Sequence, residues 1–339
     1  MIADRVLGRT GIRVSPLGLG TMVLGAWGNT DHEDCVRVIH RALDAGINLV
    51  DTADVYAAGE SEEIVGRALK GKRDDVVLAT KFHGPMGPDA NEQGNSRRWI
   101  MRAIEGSLRR LDTDHVDLYQ IHRPDPDTSI EETIDALTDL VRAGKIRAWG
   151  TSTFPAAELV EACWAAERRN VAEPHSEQPP YSILNRGIER DVLPVCQRYG
   201  IGVLVWSPLA GGWLTGKYRR QEPAPEGSRA ETNPDHFDGD NPRKFDAVER
   251  LAQIADGAGL PLAHLALAWA VEHPAVTTAL VGVRTVEQLD ALLGAGDVRL
   301  DADVLDAIDE VVSPGFNLNP DDAGWTPPGL SHRFRRRPR

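Results

Sequence analysis

The sequence is poor in cysteine and has no long apolar run. Its three cysteines, Cys35, Cys163 and Cys196, are widely spaced and odd in number. This pattern argues against a disulfide framework or a cysteine-based metal site, and it is usual in a reducing compartment. No apolar run reaches the length that spans a bilayer, and the N-terminal residues lack the apolar core of a secretory signal. We therefore expect a cytoplasmic protein with no membrane partner.

Positive charge is also scarce. The 339 residues include 38 Lys and Arg against 51 Asp and Glu, which gives a net charge of −13. Such a surface repels nucleic acid and anionic lipid, so we expect no nucleic-acid partner. The exception is the basic tail Arg333–Arg339. We interpret it as a solvated or subunit-docking terminus; a nucleic-acid-binding arm is the alternative that the overall charge opposes.

Several common catalytic signatures are absent. Gly18 and Gly20 begin a dinucleotide fingerprint, but Val23 stands where its last glycine is required. The segment 150–154 lacks the second glycine of a hydrolase nucleophile elbow. His32-Glu33 is followed by Val36 where a zinc-binding helix needs histidine. With no Walker loop either, the usual nucleotide-binding and hydrolase signatures are excluded.

Short β-branched runs alternate with helical periods along most of the chain, after an N-terminal hairpin of two short runs. The hairpin runs are Ile2–Leu7 and Ile12–Ser15, and the eight later strands are Leu17–Thr21, Ile47–Thr52, Val76–Lys81, Val116–His122, Ile146–Thr151, His175–Gln178, Gly202–Trp206 and Thr278–Gly282. The clearest helical periods are Cys35–Ala45, Arg98–Leu111, Ile130–Ala143, Glu158–Glu167, Val192–Tyr199 and Asp246–Ala258.

Eight strands, each followed by a helix, favour an α/β protein with one closed (β/α)8 TIM barrel over the alternative, an open doubly wound sheet. We assign the barrel and its hairpin to residues 1–315 and a C-terminal tail to 316–339. The connections His83–Arg97 and Gly216–Lys244 are long, and we expect them at the C-terminal face as lid or binding loops.

Four chemically active side chains fall at or just beyond the ends of the predicted strands. Asp51, Lys81 and His122 end the second, third and fourth strands, and Tyr56 follows Asp51 closely. A barrel directs these ends to one rim. A lysine ammonium lowers the pKa of a nearby tyrosine, a carboxylate would hold the lysine, and a histidine could orient a carbonyl oxygen. Each residue alone could instead be a cap or an ordinary packing residue.

The same segments carry a family resemblance. Asp51–Tyr56, Ala79–Lys81 and Tyr119–His122 resemble the catalytic segments of the aldo-keto reductases, within a match that runs from about Leu7 to about Leu293. The segment Arg123–Thr128 is most similar to the branch that contains the potassium-channel β subunits.

The resemblance implies a metal-independent reduction of aldehydes or ketones with NADPH, although NADH stays possible. Tyr56 would be the proton donor, Lys81 and Asp51 would tune it, and His122 would orient the carbonyl. An arginine at position 284 suits the 2′-phosphate of NADPH. The positions that the resemblance assigns to the cofactor are Gly20, Thr21, Met22, Asp51, Ser152, Gln178, Trp206, Ser207, Leu209, Gly211, Lys217, Arg229, Gly282, Arg284 and Gln288.

The chain also departs from the family pattern. Thr153 stands where asparagine is frequent, and Ala291 and Leu292 replace a glutamate and an asparagine that touch adenine in relatives. The channel β subunits carry asparagine at position 122, so His122 favours an active reductase over a cofactor-sensing regulatory subunit, which is the alternative function.

The substrate is a small carbonyl compound whose identity the sequence leaves open, and a homo-oligomer is possible. Substrate contacts are expected from the two long loops, from the C-terminal tail, and from aromatic side chains that could line the pocket. The aromatic candidates are Trp27, Phe82, Trp213, Phe237 and Trp325.

Overall fold

The computed structural model describes residues 4–327 and residue 330, apart from residues 219, 221, 233–236, 238 and 240. The basic tail Arg333–Arg339 lies outside the described residues, so its predicted role stays a prediction.

Eight parallel strands close into a barrel. The strands are β3 (Leu17–Gly20), β4 (Leu49–Asp51), β5 (Val77–Phe82), β6 (Val116–Ile121), β7 (Ile146–Ser152), β8 (Ser176–Gln178), β9 (Gly202–Val205) and β10 (Val276–Val281). Around the barrel they follow the chain order from β3 to β10, and β10 pairs with β3. Closure between β10 and β3 pairs Leu280 with Gly18. The predicted barrel is therefore confirmed, and the open sheet is wrong.

Helices surround the barrel between its strands. They are α1 (His32–Asp44), α2 (Glu60–Leu69), α3 (Arg97–Arg110), α4 (Ile130–Arg142), α5 (Ala156–Arg169), α6 (Val192–Tyr199), α7 (Arg229–Thr232), α8 (Pro242–Gly257), α9 (Leu262–Glu272), α10 (Val286–Leu293) and α11 (Ala302–Val311). Caps move some starts from the predicted ones. The Asp31 carboxylate accepts from Asp34 N, so α1 begins at residue 32 rather than 35. Asn241 caps α8 with Pro242 in its first turn, so the long loop ends before Lys244.

The predicted hairpin is present and lies at the strand N-terminal end of the barrel. Its strands are β1 (Arg5–Val6) and β2 (Arg13–Val14), which pair antiparallel. Leu7 and Val14 are fully buried and pack with barrel-interior residues such as Leu118. A Cβ on Gly8 would lie 2.3 Å from the carbonyl oxygen of His175, so this position requires glycine. The hairpin thus closes one end of the barrel and leaves the other end, where the strands terminate, to form the site.

Within the described residues, no single helix has both the length and the apolar composition needed to cross a membrane, although α8 and α9 reach that length together across a 91° bend.

Candidate active site

Four predicted groups meet at the C-terminal ends of the strands. Lys81, at the end of β5, is fully buried, and its Nζ lies 2.5 Å from Oδ2 of Asp51 and 3.2 Å from Oη of Tyr56. The ammonium also donates to the carbonyl of Thr52 at 2.8 Å. The ring of His122 meets that of Tyr56 edge to face, with centroids 5.8 Å apart. The structure therefore brings together a phenol, an amine, a carboxylate and an imidazole.

Asp51 is fixed from inside the barrel by two amide side chains. Its Oδ1 accepts from Nε2 of Gln178 at 2.8 Å and from Nε2 of Gln120 at 3.1 Å. These bonds leave Oδ2 facing the Lys81 ammonium. Gln120 was not predicted from the sequence. It lies on β6, two residues before His122, which directly follows that strand, so the period-2 alternation of a strand could have revealed it.

Tyr56 reaches the site from a tight turn rather than from a strand. Ala57, Ala58 and Gly59 follow it with φ values of 48°, 56° and 100°. A Cβ on Gly59 would lie 2.6 Å from Cδ of Arg110, so glycine is required there for space as well as for backbone conformation. The turn returns the chain to α2 directly after the phenol has been placed over Lys81.

The pKa shifts of Tyr56, Lys81 and His122 indicate the charge state of the site. Burial raises the pKa of Tyr56 more than the neighbouring Lys81 ammonium lowers it. Lysine therefore acts in the predicted direction, but burial outweighs it, and the phenol is protonated at neutral pH. Burial also lowers the pKa of Lys81, yet Asp51 and Tyr56 more than offset this and keep the amine charged. Burial, followed by the charges of Lys81 and Arg123, holds the pKa of His122 well below its usual range. A neutral imidazole can still donate one hydrogen bond.

Three cationic side chains gather on the other side of the mouth. Burial lowers the pKa of Lys217, and the charges of Arg284 and Arg229 lower it further. The Arg229 guanidinium is affected in the same way by burial and by Arg284. Arg284 donates to the carbonyl of Gly227. Among the described residues, no carboxylate forms an ion pair with any of the three, so this cluster suits a multiply charged anion.

The turn beside these cations presents backbone to the same space. Ser207 and Ala210 have φ values of 57° and 50°, and Gly211 and Gly212 have φ values of 67° and 103°. The Ser207 hydroxyl accepts from Gly211 N at 3.2 Å. Successive left-handed residues of this kind can form an anion-binding concavity, so the loop and the cations fit a pyrophosphate.

The other positions predicted to bind cofactor lie around the same rim, and several already have protein partners. The Ser152 hydroxyl donates to the Gln178 carbonyl at 2.8 Å, and Thr153 has a φ of 61°. Thr21 is buried and donates to the Asp51 carbonyl at 3.2 Å. The Gln288 side chain accepts from Arg284 N at 2.9 Å, which holds the start of the α10 turn.

The remaining predicted cofactor positions lie at or just after the ends of β3, β9 and β10 at the barrel mouth, where there is space for a ligand. A Cβ built on Gly20 or Gly282 would meet only a carbonyl oxygen or a side chain at 3.7–3.9 Å. Met22 and Leu209 are half-buried. The Trp206 indole follows β9 and is half-buried, and a Cβ on Gly324 would lie 2.7 Å from its Cζ2. One edge of this indole is therefore covered by the C-terminal segment.

The C-terminal segment packs on the barrel rather than extending away from it. Leu318 N donates to the Leu184 carbonyl at 3.0 Å, and Nδ2 of Asn185 donates to the Asp322 carbonyl at 2.8 Å. The Asp322 carboxylate also pairs with the buried Lys244 at 2.8 Å. Residues 316–324 are therefore packed on the barrel, with Gly324 next to Trp206. That the tail borders the substrate pocket stays a prediction.

The aromatic candidates for substrate contact divide into two groups. Phe82 is fully buried against Tyr119, and Trp213 is buried in a cluster with Tyr218 and Phe237. The prediction that Phe82 and Trp213 line the substrate pocket is wrong, because both side chains pack in the hydrophobic core between barrel and helices.

Trp27 has the opposite environment: it is 54% exposed, and its ring centroid lies 6.1 Å from that of Tyr56. It remains a candidate for substrate contact. Trp325 is half-buried in the C-terminal segment, and its contact with substrate stays a prediction.

Comparison with known proteins agrees with this geometry. The model of the aldo/keto reductase family matches residues 16–313. The chain is 38% identical over 331 residues to the uncharacterized oxidoreductase YrpG of Bacillus subtilis, which covers 94% of this chain and 98% of the relative. It is 37% identical over 321 residues to a putative voltage-gated potassium channel subunit beta of Schizosaccharomyces pombe, covering 91% and 93%. It is 40% identical over 289 residues to the aldo-keto reductase YhdN of Bacillus subtilis, covering 84% and 85%. The chain belongs to the aldo/keto reductase family.

Proposed function

We propose that this protein reduces an aldehyde or a ketone to an alcohol with NADPH, and that Tyr56 delivers the proton. The observation that carries the proposal is the position of the Lys81 ammonium, which bonds both Asp51 and the Tyr56 hydroxyl at the barrel mouth. An ammonium beside a phenol favours the phenolate that remains after proton transfer, and the carboxylate keeps the ammonium charged.

Each residue then has a distinct task. The protonated Tyr56 hydroxyl gives its proton to the carbonyl oxygen, and the Lys81 ammonium stabilises the phenolate that remains. Asp51 balances the buried ammonium, so that it stays charged. The neutral His122 ring donates a hydrogen bond to the carbonyl oxygen and fixes its direction, in the manner of an oxyanion-stabilising donor. NADPH, when bound, supplies the hydride.

The cationic cluster supports a phosphorylated dinucleotide. Lys217 and Arg229 would hold the pyrophosphate together with the backbone after β9, and Arg284 would hold the 2′-phosphate, since a guanidinium recognises phosphate with two parallel hydrogen bonds. The pKa of Lys217 is lowered by both arginines, so an anion bound among these side chains would relieve their repulsion. Both cofactors carry the pyrophosphate, but only NADPH adds a 2′-phosphate for Arg284, so the relief would be greater with NADPH than with NADH.

A cofactor-sensing regulatory subunit is the second candidate, because relatives of 37–39% identity carry the name potassium channel subunit beta. His122 separates the two candidates. A subunit that only senses the cofactor needs residues that bind the cofactor. A hydrogen-bond donor beside Tyr56 has a task only if a carbonyl substrate is reduced there, so His122 favours the enzyme.

Steady-state oxidation of NADPH and of NADH with a panel of aldehydes and ketones tests the proposal, next to equilibrium binding of both cofactors. We expect turnover of at least one neutral aldehyde with NADPH, and a lower efficiency with NADH. Tight NADPH binding without turnover of any carbonyl compound would contradict the enzyme and support the regulatory subunit.

A further inference from the structure

The residue after His122 is Arg123, and no carboxylate among the described residues forms an ion pair with it. Arg123 follows β6 at the barrel mouth and is half-buried. Its Nη1 donates to the His122 carbonyl at 2.5 Å, and its own carbonyl accepts from the Asn95 side chain at 3.0 Å. These two bonds keep residue 123 against the backbone that carries the catalytic imidazole.

The guanidinium has few partners for a group with five donors. Within the described part of the chain, no carboxylate forms an ion pair with it, and the His122 carbonyl is the acceptor that its side chain reaches. Burial lowers the pKa of Arg123, against the opposing influence of Tyr56 and Glu177. A charge that is partly withdrawn from water is usually paired, so a guanidinium at the mouth with no ion pair among the described residues points to a ligand that completes the pair.

The carboxylates around Arg123 are engaged elsewhere. Glu177, which attracts Arg123 from a distance, accepts from the Thr151 hydroxyl and from Phe154 N. Burial raises the pKa of Glu177 to about 7, so part of its charge is lost at neutral pH. Asp125 accepts from Asn95 N and from the Thr128 hydroxyl, each at 2.8 Å.

Arg123 adds a positive charge on the side of the mouth that faces the reacting groups, where Asp51 already balances the Lys81 ammonium. Burial lowers the pKa of His122, and the charges of Lys81, Arg123 and His83 lower it further. Arg123 also interacts electrostatically with the Tyr56 hydroxyl. A negative group bound at Arg123 would therefore lie beside the carbonyl that Tyr56 protonates and His122 orients. The local positive charge of Arg123 would attract this group although the protein as a whole is acidic.

We propose that Arg123 binds an anionic oxygen group of the substrate, a carboxylate or a phosphate, carried near the reacting carbonyl. The preferred substrates are then oxo acids or phosphorylated aldehydes rather than neutral carbonyl compounds. This inference rests on the proposed reductase activity and makes Arg123 the residue that selects substrate charge.

Matched pairs of aldehydes test the inference. Succinic semialdehyde is compared with its methyl ester for the carboxylate, and glyceraldehyde phosphate with glyceraldehyde for the phosphate. The protein variants are wild type, Arg123→Met, Arg123→Lys and the control Arg109→Met, whose side chain is exposed on the last turn of α3. The measured quantities are kcat/KM, KM and kcat with saturating NADPH, together with the unfolding midpoint of each variant.

For wild type we expect at least one anionic aldehyde to exceed its neutral partner in kcat/KM by about 10- to 100-fold, the range of a charge-assisted hydrogen bond. Arg123→Met should erase this preference mainly through KM while sparing the neutral aldehydes, Arg123→Lys should restore part of it, and Arg109→Met should change nothing. The pair that shows the preference identifies carboxylate or phosphate as the group.

Two results would overturn the inference: no preference for either anion in wild type, or an equal loss for anionic and neutral aldehydes in Arg123→Met, which indicates a purely structural role. If the neutral aldehydes are not turned over either, the proposed reductase fails first. Calorimetric titration of succinate and of inorganic phosphate into the NADP+-saturated protein then decides the inference alone, since binding must be present in wild type and absent in Arg123→Met.

Discussion

Replacing Lys81 with methionine removes the ammonium from the centre of the site and leaves its aliphatic stem. The lost contacts are those to Asp51 Oδ2 at 2.5 Å, to the Thr52 carbonyl at 2.8 Å and to Tyr56 Oη at 3.2 Å. Removing one member of a buried ion pair costs about 3–5 kcal/mol. Gln120 and Gln178 still donate to Asp51 Oδ1, so we expect a loss near the lower end of that range.

The same change should lower kcat far more than it weakens cofactor binding. The phenolate of Tyr56 loses the charge that stabilises it, and loss of assisted proton transfer reduces rates by about 10²–10⁴-fold. The assays are denaturant unfolding and single-turnover reduction by prebound NADPH.

Two controls accompany Lys81→Met. Asp51→Asn combined with Lys81→Met should recover much of the stability, because no unpaired buried charge remains, but it should recover none of the rate. Lys145→Met removes a partly exposed pair with Glu105 and should cost no more than about 1 kcal/mol. If Lys81→Met keeps the wild-type rate, or if the double variant regains it, the assignment of Lys81 is refuted.

Three further predictions concern the cofactor, the backbone and pH. Arg284→Met should weaken NADPH binding by about 1.5–3 kcal/mol and leave NADH nearly unchanged in fluorescence titrations; equal losses would contradict a 2′-phosphate contact. Thr153→Asn should raise the free energy of unfolding by about 1 kcal/mol, because a β-branched residue at a φ of 61° is strained where asparagine is tolerated; a decrease would show that the Thr153 side chain matters more than its backbone. Burial raises the pKa of Asp54 to about 8, above its ordinary value of about 4. The folded protein therefore binds the Asp54 proton more tightly than the unfolded chain does, which adds to the free energy of unfolding at low pH. This contribution is lost as the pH rises from about 4 towards 8. Asp54→Asn should accordingly gain stability over wild type across that window in unfolding titrations, and a difference that does not change with pH would refute the assignment.

The barrel could be predicted from the sequence because its strands are short apolar runs at regular intervals. Helices with a polar face followed from their 3.6-residue period. The helix α9 was missed because nearly all of Leu262–Val271 is buried, so no polar face marks its period. The start of α8 moved because a cap and a proline, rather than apolar spacing, decide where a helix begins.

The positions of the candidate catalytic groups at the strand ends were predictable for a simple geometric reason. A parallel barrel brings every strand end to one rim, so Asp51, Lys81 and His122 had to be neighbours. Tyr56 is different, since its position depends on a left-handed turn that composition does not reveal. The sequence also could not separate aromatic residues that face the mouth, such as Trp27, from those packed behind the strands, such as Phe82.

The role of Tyr56 can be measured most directly by comparing wild type with Tyr56→Phe, and with Tyr199→Phe at the end of α6 as a control, in single-turnover reduction of an aldehyde by prebound NADPH. We predict that Tyr56→Phe binds NADPH as wild type does but loses reduction by at least about 100-fold, while Tyr199→Phe keeps the full rate. Wild-type reduction by Tyr56→Phe would contradict the account.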